Sequence, residues 1–211
     1  SERRRQTGRS GIQDFRTFYQ TRLFGFFLAF SSLLIIALYV FLLTDYPSCL
    51  YSDMHGFWER ALQRLDGNPY DISQYFAWPP GYHIFLAEFF RVLKWLGLSG
   101  LIKLETVLAM NILAHAVSVY ALQRVAVRWF QQTPWGLAAL LLYGFGFPAW
   151  YFNAFLLSEN LAIPLLVIAV SLIYRREGWM WLILSALLFV FASIIRPSLA
   201  PYGLAFVVYL L

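Results

Sequence analysis

Charged residues and cysteine are scarce in this chain of 211 residues. Asp, Glu, Lys and Arg make up 13% of it and hydrophobic residues 60%, with a mean hydropathy of +0.61. A composition this apolar excludes a soluble domain of this size and indicates a polytopic membrane protein. The single cysteine, Cys49, excludes an intramolecular disulfide, and no Cys/His cluster has the spacing of a structural zinc site.

A long basic tract is also absent, although basic residues outnumber acidic ones. The 16 Lys and Arg residues against 11 Asp and Glu residues give a net charge of +5 and a pI near 9.4. The basic residues form short clusters beside apolar runs, where they act as topology signals. We therefore expect no nucleic-acid partner and a cytoplasmic N-terminal segment, residues 1–22, which contains Arg3, Arg4, Arg5, Arg9, Arg16 and Arg22.

Apolar runs divide the remaining chain, residues 23–211, into predicted membrane spans. The first run, 23–43, has no charge and is long enough to cross a bilayer as a helix. A signal peptide is the alternative, but residues 44–47 offer no small-residue cleavage site. The last run, 199–211, is too short to cross a hydrocarbon core of about 30 Å, so we expect a fragment or an unusually short protein. The later runs are 105–123, 134–152, 159–174, 179–195 and the incomplete 199–211.

Between the first two spans lies a polar and aromatic segment, residues 44–104, which is predicted to form an external loop. From Met54 to Leu65, apolar residues recur at three- and four-residue steps, and charged residues occupy the opposite side. This pattern predicts an amphipathic helix in the membrane interface. The Gly, Asn and Pro residues at 67–71 then predict a turn.

A second helix is predicted over residues 81–98, opened by Pro79-Pro80. Glu88, Arg91 and Lys94 form one polar stripe on it, and such groups are unfavourable at the bilayer centre. Counting Lys and Arg leaves ten inside and six outside whether or not this segment spans the membrane. The stripe therefore decides the prediction, which places the helix along the outer surface.

Three ionisable residues fall on the outer side in this topology: Asp53, Glu159 and Arg196. Asp53 precedes the amphipathic helix, where a carboxylate is either an N-cap or a general base. Glu159 stands at the mouth of an apolar run, either as a helix cap after Ser158 or as a functional acid. Arg196 either reaches towards lipid headgroups or grips a phosphate with its planar guanidinium.

Histidines and aromatic residues supply further candidates. His55 is either an interfacial polar residue or, with Asp53 and Glu159, a ligand of a divalent metal. His115, within a predicted span, lies four residues after Asn111 and so on the same helix face, which favours a packed polar contact over a ligand. The aromatic residues placed to stack on a sugar or to line a lipid groove are Trp78, Tyr82, Trp150 and Tyr151.

The order of these features resembles the GT-C superfamily of integral-membrane glycosyltransferases over roughly residues 22–211. The resemblance implies an all-α membrane protein, a polytopic helical bundle with two external juxtamembrane helices in its first external loop. The matching motifs are Tyr51-Ser52-Asp53, Asn68-Pro69-Tyr70, Trp78-Pro79-Pro80-Gly81-Tyr82, Leu157-Ser158-Glu159 and Ile195-Arg196-Pro197.

The resemblance also implies a reaction, the transfer of a sugar from a polyprenyl-phosphate donor to an acceptor hydroxyl on the outer face. Asp53 would be the general base, and Glu159 would orient the acceptor or hold a divalent metal. Binding of the donor and its phosphate would fall to Arg196, Tyr82, His83 and Trp78. The expected partners are this lipid-linked donor and the membrane lipids.

Two other functions stay open. A non-catalytic membrane subunit, which binds lipid or scaffolds a complex with further membrane subunits, would suit a chain with fewer spans than GT-C members usually have. A secondary transporter would carry inverted repeats and broken helices. The sequence shows no convincing repeat, although Gly144, Gly146 and Pro148 permit one broken helix.

Overall fold

A computed structural model of the chain describes residues 21–44, 53–68, 80–129, 134–173 and 178–202. Within these ranges the regular secondary structure is entirely helical, which confirms the predicted all-α fold class. The predictions for residues 1–20, for Trp78 and for most of the run 199–211 lie outside the described residues.

A π-helical turn, Tyr39–Leu43, extends the first helix, and 3₁₀ turns at Ser99–Leu101 and Pro197–Leu199 precede the fourth helix and follow the last. The α-helices are α1 (Arg22–Leu38), α2 (Asp53–Leu65), α3 (Pro80–Trp95), α4 (Leu104–Trp129), α5 (Pro134–Phe145), α6 (Phe147–Phe152), α7 (Glu159–Ile173) and α8 (Trp179–Ile195).

Within the described residues, three helical stretches are long and apolar enough to cross a membrane: Arg22–Leu43, Leu104–Trp129 and Pro134–Phe152. Helices α7 and α8 are also apolar but shorter, with 15 and 17 residues. Helix α4 continues past the predicted boundary at residue 123. The prediction ended at the first arginine because charge marks the edge of a span, but Arg is a good helix former and the helix passes through it.

The predicted span 134–152 is helical but divided at Gly146 into α5 and α6. Gly146 has an extended backbone, with φ −66° and ψ 159°. A Cβ atom at this position would lie 2.3 Å from the carbonyl oxygen of Leu142, so the backbone fold at the break requires glycine. Pro148 then occupies the start of α6, where a missing N–H is tolerated.

Both helices of the predicted external loop are present, and both end in the same glycine cap. After α2, Gly67 has φ +78°, and the amides of Gly67 and Asn68 donate to the carbonyls of Arg64 and Gln63. After α3, Gly97 has φ +74°, with the same pattern of bonds. Glycine reaches this left-handed conformation without steric strain, which explains why each helix ends there.

The largest apolar core joins α2 and α3 to one end of the long helices. Its buried residues come from α2 and α3, from the first turns of α4 and α7, and from the last turn of α8. The apolar stripe predicted on α2 is the face that enters this core, with Met54, Phe57 and Ala61 buried. The two loop helices are therefore fixed against the end of the bundle where α4 and α7 begin and α8 ends.

Elsewhere the long helices are held by small polar contacts. The Ser32 hydroxyl of α1 donates to the Gly144 carbonyl of α5 at 2.7 Å, and the Ser185 hydroxyl of α8 donates to the Ala169 carbonyl of α7 at 2.7 Å. Small residues let helix backbones approach closely, and hydroxyls then bond across the contact, as is common between membrane helices.

Candidate functional site

The structure brings Glu159 and Arg196 together as an ion pair. Glu159 is the first residue of α7, and Arg196 follows the last residue of α8. An Arg196 Nη2 atom lies 2.8 Å from Glu159 Oε1, and the two side chains are 36% and 35% exposed. Because α7 and α8 are antiparallel neighbours, the start of one helix meets the end of the other.

Two serines complete the hydrogen bonds around this pair. The Ser158 hydroxyl donates to Glu159 Oε2 at 3.0 Å and accepts from Arg196 Nη1 at 3.4 Å, while Arg196 Nε donates to Ser198 Oγ at 3.2 Å. A guanidinium has five N–H donors. Three of them are engaged by described residues, which leaves two for a ligand, enough for a bidentate contact with a phosphate.

Gly81, the second residue of α3, lies against the same end of α8. A Cβ atom added to Gly81 would be 1.8 Å from the carbonyl oxygen of Ile194 and 2.3 Å from its carbonyl carbon. Only glycine allows α3 to begin at this distance from α8. The contact places two motifs that are more than 100 residues apart in the sequence beside each other, because Ile194 lies two residues before Arg196.

Tyr82 and His83, predicted to contact the donor, are both buried beneath α2. The Tyr82 ring meets the Phe57 ring edge-on at 5.1 Å, and its hydroxyl accepts from Asn111 Nδ2 at 3.5 Å. Burial raises the pKa of Tyr82 well above its ordinary value; the Asn111 hydrogen bond lowers it, and the nearby Glu159 carboxylate raises it. Tyr82 is therefore a neutral hydrogen-bonding group close to Glu159.

Burial also determines the charge of His83. Together with the positive charges of Arg60 and Arg64, it lowers the pKa of His83 to about 4. The imidazole is neutral at pH 7 for that reason. It supplies no positive charge to a phosphate at this pH, so among the described candidates that charge falls to Arg196.

Asp53 begins α2 and is exposed, and the neighbouring Met54 is part of the core that holds α2 to the bundle. Its carboxylate lies at the positive end of the helix dipole. His55 pairs elsewhere: its Nδ1 atom lies 3.2 Å from Oε2 of Glu59, one helical turn along α2. Among the described residues, Asp53, His55 and Glu159 do not form a group arranged to hold a metal ion.

The polar stripe on α3 pairs with the polar side of α2. Arg64 Nε lies 3.5 Å from Glu88 Oε1, and Glu88 also pairs with Arg91 on its own helix. These side chains are one-third to one-half exposed, so each pair contributes little stability by itself. The stripe therefore faces the polar side of α2, and its charged groups are accessible to solvent.

A cavity of about 580 Å³ lies between α4, the α5–α6 break and α7. Its wall is mostly apolar. Glu159 stands on this wall, and the kink-forming Pro164 of α7 and Pro148 of α6 contribute to it. Its polar residues besides Glu159 are His115, Tyr143, Asn153 and Asn160.

Sequence reasoning predicted Glu159 and noticed His115, but it missed Tyr143, Asn153 and Asn160 as wall residues. Asn160 holds the α6–α7 turn by donating to the carbonyls of Phe152 and Phe155, both at 2.7 Å. The available signal was an Asn residue at the start of the predicted turn, Asn153, and a second one just after it, Asn160. It does not reveal which side chains face a cavity, because that depends on how α4 and α7 pack.

The described parts of three motifs from the sequence analysis lie at one end of the bundle. Tyr82, Leu157 and Ile195 belong to or pack against the same apolar core. Comparison of the chain with protein-family models, with curated proteins and with solved structures finds no match. The interpretation of the site therefore rests on these residues and their geometry.

Proposed function

We propose that the chain is a multi-pass membrane protein with the Glu159–Arg196 pair on its outer face. Its three long apolar helices and its many exposed apolar side chains support this, since a soluble protein rarely exposes so much apolar surface. The arginine cluster in residues 1–22 favours a cytoplasmic N-terminus. The start of α4, the α6–α7 turn and the end of α8 then face outward, with α2 and α3.

We further propose that this outer site transfers a sugar from a polyprenyl-phosphate donor to an acceptor hydroxyl. Arg196 binds the donor phosphate with its two remaining N–H groups. Asp53 is the general base, and Glu159 orients both Arg196 and the acceptor. The observation that carries the proposal is the ion pair of Arg196 with Glu159, which stands on the wall of a mostly apolar cavity. This arrangement offers a charged contact beside a site for lipid.

The proposed step needs one base and one cation. The acceptor O–H proton passes to the Asp53 carboxylate while the acceptor oxygen forms a bond to the anomeric carbon. The bond from that carbon to the phosphate oxygen breaks, and its electron pair leaves with the phosphate. An alcohol is a poor nucleophile until its proton is being removed, and the charge that develops on the phosphate is stabilised by Arg196.

The proposed topology predicts which positions a membrane-impermeant thiol reagent reaches in intact cells. In a Cys49→Ser background, single cysteines at the exposed positions Asp66, Gly100 and Ser198 are expected to react. A cysteine at Arg128, near the end of α4, is the matched control and is expected to be protected. Labelling at Asp66 with protection at Gly100 would mean that α3 spans the membrane and would contradict the topology.

Substitution of Arg196 tests whether it binds phosphate. Arg196→Lys keeps a positive charge opposite Glu159 but loses the planar fork. A hydrogen bond to a charged group contributes about 1.5–3 kcal/mol, so the loss of one is expected to weaken binding of a radiolabelled polyprenyl phosphate by about tenfold or more. Arg196→Ala is expected to weaken it further.

Arg91→Lys is the matched control, because Arg91 is exposed at the same end of the molecule and pairs with Glu88. It should leave phosphate binding unchanged. If wild type, Arg196→Lys and Arg196→Ala bind the lipid equally, Arg196 only reaches towards headgroups. If the lipid binds through Arg196 but no transfer is detected, the result favours the alternative of a non-catalytic, lipid-binding subunit.

A further inference from the structure

One face of α3 is apolar, but only its first half packs against the core. Its residues recur at three- and four-residue steps, and the last of them is held in the helical turn by a bond from its amide to the Val92 carbonyl. They are Phe85, Phe89, Val92 and Leu96. Phe85 and Phe89 are partly buried, whereas Val92 and Leu96 are 51% and 54% exposed. The second half of this apolar face is therefore open to a partner from outside the chain.

The start of this apolar face lies against α8, which indicates what the rest of it meets. The Phe85 ring contacts the Phe191 ring edge-on, with centroids 5.5 Å apart. Phe191 stands four residues before α8 ends at Ile195. On α8 itself, Leu187 and Val190 are exposed, and in a membrane helix such side chains contact lipid. The apolar face of α3 therefore continues the lipid-facing surface of α8 at the level of the outer leaflet.

The turn between α3 and α4 exposes two further apolar side chains. It is fixed by backbone hydrogen bonds: the Leu98 amide donates to the Leu93 carbonyl, and the Leu101 amide donates to the Leu98 carbonyl. Leu98 and Leu101 are both exposed and are three residues apart. In a 3₁₀ turn this spacing puts them on one side, with Gly100 on another. The turn thus presents leucines to an apolar phase without further ordering.

An indole and two cations border these apolar residues. Trp95 is 82% exposed, and tryptophan is enriched at the membrane–water interface, where its ring lies at the level of the headgroups. Lys94 and Lys103 are exposed, and residues 89–104 contain no acidic residue. The one arginine of this stretch already has an acidic partner on α3, so the net positive charge falls to the lysines. This arrangement complements an anionic headgroup above acyl chains.

We propose that the apolar face of α3 and the turn after it bind the outer leaflet of the membrane, with Lys94 and Lys103 on the phosphates of anionic lipids. The exposed apolar side chains lie among the upper parts of the acyl chains, and Trp95 lies at the headgroups. Since α2 packs on α3, this anchor also holds Asp53 at the membrane surface. The proposal rests on the proposed topology and not on sugar transfer.

Fluorescent labels on single cysteines test where these residues lie. In the Cys49→Ser background, Val92→Cys, Leu96→Cys and Gly100→Cys chains are labelled with a bimane and placed in nanodiscs. The nanodiscs contain lipids spin-labelled either near the headgroup or near the end of the acyl chain. The labels at Val92 and Leu96 are expected to be quenched equally, more strongly by the shallow spin label, and to be protected from aqueous iodide. Iodide is expected to quench the label at Gly100.

Three results would overturn the proposal, and each identifies a different alternative. Iodide quenching of all three labels would place the apolar face in water. Protection of the Val92 and Leu96 labels from iodide and from both spin-labelled lipids would mean that a second protein molecule covers this face. Stronger quenching at Val92 than at Leu96 by the deep spin label would mean that α3 spans the membrane, which would contradict the proposed topology as well.

The charge of the bound lipid is tested with the label at Leu96 and two spin-labelled lipids, a phosphatidylglycerol and a phosphatidylcholine. Each cation near a membrane surface favours an anionic lipid by about fivefold at low salt. The phosphatidylglycerol is therefore expected to quench at about fivefold lower mole fraction or less. Lys94→Gln with Lys103→Gln should remove the difference, and Lys94→Arg with Lys103→Arg, the matched control, should retain it. Equal quenching by the two lipids before either substitution would overturn the proposal.

These measurements need neither a sugar donor nor an acceptor, so they separate the anchor from the proposed reaction. Quenching as expected without sugar transfer would contradict the reaction alone. Sugar transfer by a protein whose Val92 and Leu96 labels lie in water would contradict the anchor alone.

Discussion

Replacement of Asp53 by Asn is expected to reduce sugar transfer by at least about 100-fold while the protein stays folded. Asp53 is the first residue of α2, and Asn and Asp have similar helix propensities, so the start of α2 is retained. The substitution removes the proton acceptor, and a positioned general base typically contributes about 100-fold to 10,000-fold. The measurement is transfer of radiolabelled sugar from a polyprenyl-phosphate donor by protein in nanodiscs.

Asp66→Asn is the matched control, because Asp66 is exposed just after the other end of α2. It removes the same charge from the same loop and should leave transfer unchanged. If Asp53→Asn retains activity, Asp53 only contributes to the start of α2, and the base must be sought elsewhere.

Replacement of Gly81 by Val is expected to separate α3 from α8 and to abolish both stable folding and transfer. The new Cβ would lie 1.8 Å from the Ile194 carbonyl oxygen. A backbone oxygen cannot rotate away as a side chain can, so one helix has to move. Over-packing usually destabilises by about 1–3 kcal/mol and occasionally by more; we expect the upper part of this range or beyond it. Thermal unfolding in detergent and size-exclusion chromatography measure the effect.

Gly100→Val provides the matched comparison. Gly100 lies in the 3₁₀ turn after α3, and a Cβ there would have no neighbour within 4 Å. The same change in residue type should therefore leave the melting temperature almost unchanged. Equal destabilisation by the two substitutions would show that the Gly81–Ile194 contact does not hold α3 in place.

The local features of the site could be predicted from the sequence because they depend on short-range chemistry. The spacing of Met54, Phe57 and Ala61 marks one helix face, and that face is the buried one. The start of α7 at Glu159 and the end of α8 at Ile195 follow from where the apolar runs begin and end. The periodicity of a helix and the residues that end it involve only a few neighbouring positions, so both can be recognised without knowledge of the fold.

The contacts that side chains make across the fold could not be predicted from such local patterns. The sequence placed Glu159 and Arg196 on one side, but only the antiparallel packing of α7 and α8 makes them an ion pair. Tyr82 and His83 were expected at a substrate, yet the packing of α2 over α3 covers both. A polar side chain can face solvent, a ligand or another helix at the same position in the chain, and long-range contacts select among these.

The sequence by itself determined that this chain is helical and apolar, with an amphipathic pair of helices between its first two long apolar helices. Those properties follow from composition and from periods of three to four residues. Only the tertiary structure decided that Gly81 touches Ile194, and that His115 and Asn153 share a cavity with Glu159. Gly81 and Ile194, like His115 and Asn153, are more than 30 positions apart. Such contacts arise from the fit of helix surfaces, which no local pattern encodes.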